Sequence, residues 1–438
     1  MRILLVKPRW FVRGGQYRYL ENVRFTPLSL GILAALSEGH EVKIVDGDCQ
    51  AIPSGDGFNL IGITVTTFTS ERVYDLVREF NKRGAKVILG GVHPSILPEE
   101  CLNHADSVVV GEAEYVWKEV LRDAEKGCLE RLYRSERPTH MNDVPFPRRD
   151  LLDEPSWFAC VQATRGCPNS CRYCYLPSTP WREYRRRSVE LVVEEIRSLR
   201  QKLFFFVDDN LFADRDYALR LFNAIIPLKK SWAIQVPATI EDDELLDAMA
   251  EAGCFNVQVG FQSFNKTSLK WASVKHNRVE KYRDLVGKLH ERKIIVTGFF
   301  MFGFDTDGPD VFDATVVLAK VIDIDDANLY ILTPYPGTPL YARFQREGRL
   351  LEGTRRTQFG WSHAVFRPKQ MTPEELERGV QRAYDMLYPF FRKKLKRVIF
   401  KQFSWLLKHP HMIPRLVGGN IRRARVTNNP AYVLSERR

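Results

Sequence analysis

The sequence predicts an α/β protein in two parts, a doubly wound parallel sheet and then a partial α/β barrel, with a basic helical segment at the C-terminus. Three observations predict it. Short β-rich runs alternate with helix-length amphipathic segments through the first 126 residues, a second alternating series of six follows a proline-rich stretch, and after about residue 370 the pattern turns helical and then basic. At 438 residues the chain exceeds what one core usually supports, and 44% hydrophobic residues are enough for two.

In residues 1–126 the strand-like runs are RILLVKP, HEVKIVD, LIGITVT, AKVILGG and SVVVGE, with TPLSLGILAALSE and SERVYDLVREFNKRG as helices between them. Near-continuous apolar strands separated by helices call for a parallel sheet covered on both faces. Residues 127–156 carry Pro138, Pro145, Pro147 and Pro155 among charges and read as a linker. Residues 157–370 hold WFACVQATRG, LFFFVDD, WAIQVPA, FNVQVGFQS, IIVTGFFMFGF and ANLYILTPYPG, six units that suit a partial barrel better than a second flat sheet. Residues 371–438 form the helical, basic remainder.

The net charge is +11, but residues 391–438 contain thirteen Lys or Arg against the single acid Glu436, so the rest of the chain is about neutral. A basic tail on a neutral body argues against a protein that coats nucleic acid. No uncharged apolar run reaches the length of a membrane span, and the expectation is a cytoplasmic protein. The tail mixes aromatic and aliphatic residues with cations, as helices that rest on anionic membranes do, which adds the expectation of peripheral contact with the inner membrane surface. A brace packed against the barrel is the equal alternative.

Five of the eight cysteines are scattered singly, Cys49, Cys101, Cys128, Cys160 and Cys254, and do not read as a secreted disulfide framework. The other three, Cys167, Cys171 and Cys174, stand in ATRGCPNSCRYCYLPSTP with no fourth ligand nearby. Catalytic zinc usually recruits His, and none lies between His140 and His276, though a distant one could arrive by folding. A four-iron cluster held by three thiolates, with one iron left open, suits the spacing. Three unrelated buried thiols would rarely bunch this way.

C-x3-C-x2-C with an aromatic residue before the last Cys, here Tyr173, resembles the signature of the radical S-adenosylmethionine (SAM) enzymes. The resemblance implies a 4Fe-4S cluster on Cys167, Cys171 and Cys174 whose open iron chelates SAM, and reductive cleavage to a 5′-deoxyadenosyl radical. It implies SAM contacts from Tyr173, from Asp208 and Asp209 in FFFVDDN, and from Gln262 and Ser263 in VQVGFQS, where Gln262 replaces the family's usual Glu. On the residues alone, Asp208 and Asp209 are equally readable as helix caps.

The first sheet lacks G-x-G-x-x-G, which weakens a nicotinamide reading. IGITVTTFT, GGVHPS and DSVVVGEAE instead resemble the Rossmann-like cobalamin-binding domain of cobalamin-dependent radical SAM enzymes. The corresponding contacts are Thr64, Thr66, Thr67, Gly90, Gly91, His93, Gly111 and Glu112; ordinary turn glycines and a capping Glu are the plainer alternative. There is no D-x-H-x-x-G motif, so cobalamin is expected without a protein His on cobalt, and His93 is expected to touch corrin amides or backbone.

The family's cycle implies a methyltransferase acting on an unactivated carbon of a small-molecule, lipid or pigment natural product, with methylcobalamin as donor. Cyclisation or rearrangement without methyl transfer, methylthiolation of RNA, and a corrinoid carrier or sensor are the rivals. The dispersed Cys49, Cys101 and Cys128 disfavour the second, and an otherwise idle Cys loop disfavours the third. Tyr330, Tyr335 and Trp361 are candidate substrate walls, more often core. An electron donor such as flavodoxin or ferredoxin is the expected partner, and no nucleic acid.

Overall fold

A computed structural model describes residues 1–9, 25–153, 158–180 and 182–401; the segment 402–438, most of the basic tail, lies outside the described residues. The first sheet contains β1 (Arg2–Lys7), β2 (Glu41–Asp46), β3 (Leu60–Thr64), β4 (Lys86–Gly90), β5 (Ser107–Val110) and β6 (Leu132–Arg134). All are parallel, in the order β2-β1-β3-β4-β5-β6. Side chains alternate across a strand. In β1, Leu4 and Val6 accordingly join one buried cluster with Val73, Val77 and Phe80 of the helix Ser70–Asn81, and Ile3 and Leu5 join another with Leu30, Trp117 and Val120. The sheet is therefore covered on both faces, which is why its strands read as apolar runs.

The segment expected to be a linker is partly built into this domain. Leu132–Arg134 pairs with β5 as a sixth strand, and Met141 and Val144 are buried against Ile32. Pro147 presses on the helix Leu28–Ala35 so closely that a Cβ at Gly31 would lie 2.8 Å from it. Proline density marked irregular backbone correctly but concealed its burial.

The second sheet holds β7 (Ala159–Val161), β10 (Leu203–Phe206), β11 (Ser231–Pro237), β12 (Cys254–Gln262), β13 (Ile295–Phe302) and β14 (Asp326–Ile331), parallel and in chain order. Its two end strands do not pair, so the six units form an open arc. Two two-residue strands, β8 (Thr164–Arg165) and β9 (Arg185–Arg186), pair antiparallel between β7 and β10. Helix starts are fixed by short polar caps: Ser188, Asp214 and Asp242 accept backbone N–H groups of Leu191, Tyr217 and Leu245. Each cap contributes about 1 kcal/mol. The cap after β10 is thus Asp214, and Asp208 and Asp209 are left for another role.

The helix Leu28–Ala35 also closes part of the arc's open side, where Leu28 packs with Phe158, Cys160, Leu203, Phe205 and Ala233. The last helix, Pro373–Lys401, lies beside Val311–Val321. Lys394 on it pairs with Asp323 (2.8 Å) and Asp325 (3.2 Å), just before β14. The root of the basic segment is therefore fastened to the barrel.

Candidate active site between two sheets

The cysteine loop is a closed insertion. β8 and β9 pair Thr164 with Arg186 and Arg165 with Arg185, so residues 166–184 hang from a zipped base. Gly166 opens the loop at φ +87°, and a Cβ there would lie 2.2 Å from the Glu183 carbonyl oxygen. Only glycine fits that approach. The Gly166 N–H donates to Asp209 Oδ2 at 2.9 Å. Downstream, Cys174 N–H bonds Cys171 O at 3.1 Å, and Arg172 N–H bonds Ala272 O at 3.0 Å. Asn210 Nδ2 reaches Cys167 Sγ at 3.5 Å.

Three half-buried free thiols result. Burial pushes Cys171 up to about 11 and Cys174 up to about 12, and the neighbouring cysteines add to both shifts. Among the described residues no three His, Cys, Asp or Glu side chains converge closely enough to hold one metal ion. The three thiols lie near enough to influence one another's protonation, and their number without a His suits an iron–sulfur cluster better than catalytic zinc. Cluster binding must displace protons, because only thiolates ligate.

The structure sorts the expected SAM residues. Asp208 is buried beneath the loop, where its Oδ1 accepts Ala163 N–H (3.1 Å) and the Thr164 hydroxyl (2.6 Å). Burial pushes its carboxyl up to about 7. Asp209 holds Gly166, also with a raised pKa from burial. Both hold backbone. Ser263, 3% exposed, accepts Asn265 N–H at 3.0 Å and serves a turn. Tyr173 hydrogen-bonds Cys171, and burial holds its hydroxyl well above the usual range.

Gln262 is different. It ends β12 at φ 65°, after a register shift, and its amide folds over Gly260, where a Cβ would meet Nε2 at 2.7 Å. Half-exposed, it is the expected SAM contact whose side chain is left open at the strand end.

A cavity of about 320 Å³ opens at the carboxyl ends of β3, β4 and β5. Thr64, Gly90, Gly91, Gly111 and Glu112 line it, over an apolar floor that includes Ile63, Ile88 and Trp117. Gly91, at φ +110°, lies so near β3 that a Cβ would be 2.9 Å from Val65 O. The barrel side contributes Gln162, Arg165 and Val207. Both parallel sheets aim their carboxyl ends into one cleft, the place where such sheets bind ligands.

Three expected cobalamin contacts stand elsewhere. Thr66 forms a capping box with Thr69. Thr67 and His93 face inward: His93, 1% exposed, has Nδ1 at 3.3 Å from Thr67 Oγ1 and Nε2 at 3.0 Å from the Tyr74 hydroxyl. Glu100 Oε1 lies 3.2 Å from the same Nε2. Glu112 is at the cavity, but its carboxylate is gripped by Arg185 at 2.7 and 2.8 Å. Burial works to raise its pKa, and Arg185 and Arg165 overcome that and hold it low.

Residues the sequence did not single out close the cleft. Arg165 also pairs with Glu114 (2.6 Å), Arg355 with Glu71 (3.2 Å) and Arg356 with Glu100 (2.8 Å). In these ties every acid is on the first domain and every arginine on the second. Asn210, which the sequence places with Asp208 and Asp209 at a strand end, serves as a loop holder. Of the expected substrate walls, Tyr330 and Trp361 come together (ring centroids 5.7 Å), with Phe299 behind Tyr330 at 5.6 Å. Tyr335 instead starts a turn whose Gly337 abuts Ile96 of the first domain.

A three-cysteine loop thus stands on an open parallel arc whose strand ends share a cavity with a glycine-edged parallel sheet. The family model described as the radical SAM superfamily matches residues 161–319, and that described as the B12 binding domain matches residues 24–121. The chain is 29% identical over 368 residues to the bacteriochlorophyllide d C-12(1)-methyltransferase of Chlorobaculum tepidum, covering 80% of each. It is 26% identical to that organism's bacteriochlorophyllide d C-8(2)-methyltransferase, covering 82% of this chain and 85% of the relative. Among solved structures, the radical SAM methyltransferase TsrM of Kitasatospora setae with cobalamin and [4Fe-4S] cluster bound superposes with a TM-score of 0.63 at 20% identity, covering 86% of this chain and 84% of that one. The chain thus joins a B12-binding domain to a radical SAM domain, and over both it is similar to cobalamin-dependent radical SAM methyltransferases. Its cofactors are a 4Fe-4S cluster, SAM and cobalamin.

Proposed function

We propose that this enzyme methylates an unactivated carbon of a flat, poorly water-soluble natural product, a pigment or lipid, held between its two domains. The observation that carries this reading is the shared cleft, where the glycine edges of β3–β5 meet Gln162, Val207 and Arg165, the last in the base strand of the cysteine loop. When bound, the cluster and SAM supply a carbon-centred radical, and cobalamin supplies the methyl group.

The chain's own work is holding, orienting and shielding. Cys167, Cys171 and Cys174 hold the cluster, while Asp209 and Asn210 fix the loop that carries them. Gln262 offers both a donor and an acceptor to the amino-acid end or ribose of SAM without adding charge. Thr64, Gly90, Gly91 and Gly111 would give the corrinoid a close backbone approach beside the apolar cavity. Tyr330 and Trp361 flank the substrate. The Glu–Arg ties keep bulk water from a radical site.

The names of the two bacteriochlorophyllide relatives support the substrate class. A one-electron donor such as flavodoxin or ferredoxin feeds the cluster. The basic segment 391–438 rests on the cytoplasmic face of an anionic membrane, consistent with a lipophilic substrate. No helix among the described residues is long and apolar enough to cross one.

Anaerobic reconstitution with pigment and lipid precursors tests the reading. The expected product is one methyl group heavier than its substrate and appears with 5′-deoxyadenosine. Deoxyadenosine accompanied by a product that has gained no methyl would replace methylation with cyclisation or rearrangement.

A further inference from the structure

Six large apolar side chains stand exposed among the described residues, and four of them lie on two neighbouring helices: Val317 (55% exposed), Leu318 (37%), Val321 (51%) and Met386 (40%). On Val311–Val321 the buried positions are Val311, Phe312, Thr315, Val316 and Ala319. Val317, Leu318 and Val321 therefore belong to the opposite face, which in a surface helix is normally polar.

Two ties set the register with Pro373–Lys401. Arg382 pairs with Asp313 at 3.1 Å, and Lys320 sits 6.0 Å from the Phe390 ring. Contacts that advance from 313 to 320 on one helix and from 382 to 390 on the other mean that the helices run parallel. Met386 thus falls level with Val317, and the apolar strip runs toward the root of segment 391–438. The acids beside the strip are engaged: Asp313 by Arg382, Asp323 by Lys394, and Asp385 by the Gln381 amide at 3.1 Å.

We infer that this strip, Val317, Leu318, Val321 and Met386, is the face with which the folded body meets an anionic lipid bilayer, beside the cationic tail. The inference rests on the proposed membrane contact of the tail and adds which face of the barrel turns toward the lipid. Two features select a bilayer as the occupant. Four side chains are far short of the roughly 800 Å² per partner of a specific protein interface. In sequence the helix that carries Met386 continues into a segment with thirteen Lys or Arg, of which Lys394 is held by Asp323, interspersed with Phe400, Phe403, Trp405, Leu406 and Leu407, the mixture that binds anionic headgroups while burying apolar residues at the acyl boundary.

The test uses full-length holoenzyme, a Val317→Glu/Val321→Glu variant, a Val317→Trp/Val321→Trp variant and a chain ending at residue 401. Each is sedimented with phosphatidylglycerol-containing vesicles and with pure phosphatidylcholine at low salt. Expected are binding of wild type to the anionic vesicles, a loss of about tenfold or more in partition for the Glu variant with melting temperature and cofactor content retained, and a gain for the Trp variant. If the Glu and Trp variants bind like wild type while the truncated chain does not, the strip inference falls and the tail reading stands. If wild type ignores anionic vesicles, both fall. If wild type is a dimer in sedimentation velocity and the Glu variant is a monomer, the strip is a self-interface and the lipid assignment is overturned.

Discussion

Both ring nitrogens of His93 are occupied, Nε2 by Tyr74 and Glu100 and Nδ1 by Thr67. No lone pair is left for cobalt unless the network breaks. The cob(II)alamin spectrum of the holoenzyme is therefore expected to show no nitrogen splitting from an axial His, and His93→Ala to leave that spectrum unchanged while lowering stability by about 1–3 kcal/mol through stranded buried partners. Nitrogen splitting that vanishes in the variant would overturn this. Asp307 offers a pH signature at the same scale. Its carboxylate takes the Ser268 hydroxyl (2.6 Å) and the N–H groups of Gly303 and Phe304 (3.0 Å each), yet burial pushes it up to about 6. An acid raised in the folded state binds its proton more tightly there than in the unfolded chain. Its contribution is full below about pH 4 and is lost as pH climbs through about 6. Asp307→Asn keeps an acceptor for the Gly303 and Phe304 N–H groups and cannot ionise. Relative to it, wild type should lose up to about 3 kcal/mol between those values, read from denaturant midpoints; a flat difference refutes the shift.

At the scale of elements, the cysteine loop depends on the two-residue pairing that closes it. Gly166→Ala would drive a Cβ into Glu183 O and strain a left-handed backbone. The expected result is loss of most cluster absorption after reconstitution, with the far-ultraviolet spectrum of the barrel retained; full cluster content would show that the loop adapts. Much of the fold was legible because its signals are local. Apolar runs such as LIGIT and LFFF give the strands, and C-x3-C-x2-C gives the loop. The pairing of β8 with β9 was not legible, since two-residue strands have no periodicity. Nor was the strand Leu132–Arg134, set among prolines. The site residues divide the same way. Cys167, Cys171 and Cys174 carry their meaning in spacing, whereas the inward turn of His93 and the capture of Glu112 depend on Tyr74, Arg165 and Arg185, which only folding brings near.

For the whole molecule, the acid-to-arginine polarity of the cleft ties makes the two halves act as one. Glu100 lies between His93 and Arg356, and its carboxyl is drawn down to about 2 by the hydrogen bond from His93 and the charge of Arg356. Arg356→Ala should leave the cluster and cobalamin bound but loosen the segment that carries Trp361. The measurement is the ratio of 5′-deoxyadenosine formed to substrate methylated, expected to rise severalfold. An unchanged ratio would make the tie merely structural.

The same ties imply an order of assembly during synthesis. Arg185 follows its partner Glu112 by 73 residues, whereas the partners of Glu100 and Glu71 come 256 and 284 residues later. One side of the clasp can engage early, and the other waits until Arg355 and Arg356 have left the ribosome. At about 5–20 residues per second, that leaves the jaws ajar for on the order of ten to thirty seconds while the barrel is completed. A cofactor as large as a corrinoid then meets a cleft still free of the later ties, and nascent chains halted before Arg355 are expected to load cobalamin faster than completed ones; equal loading rates would overturn this.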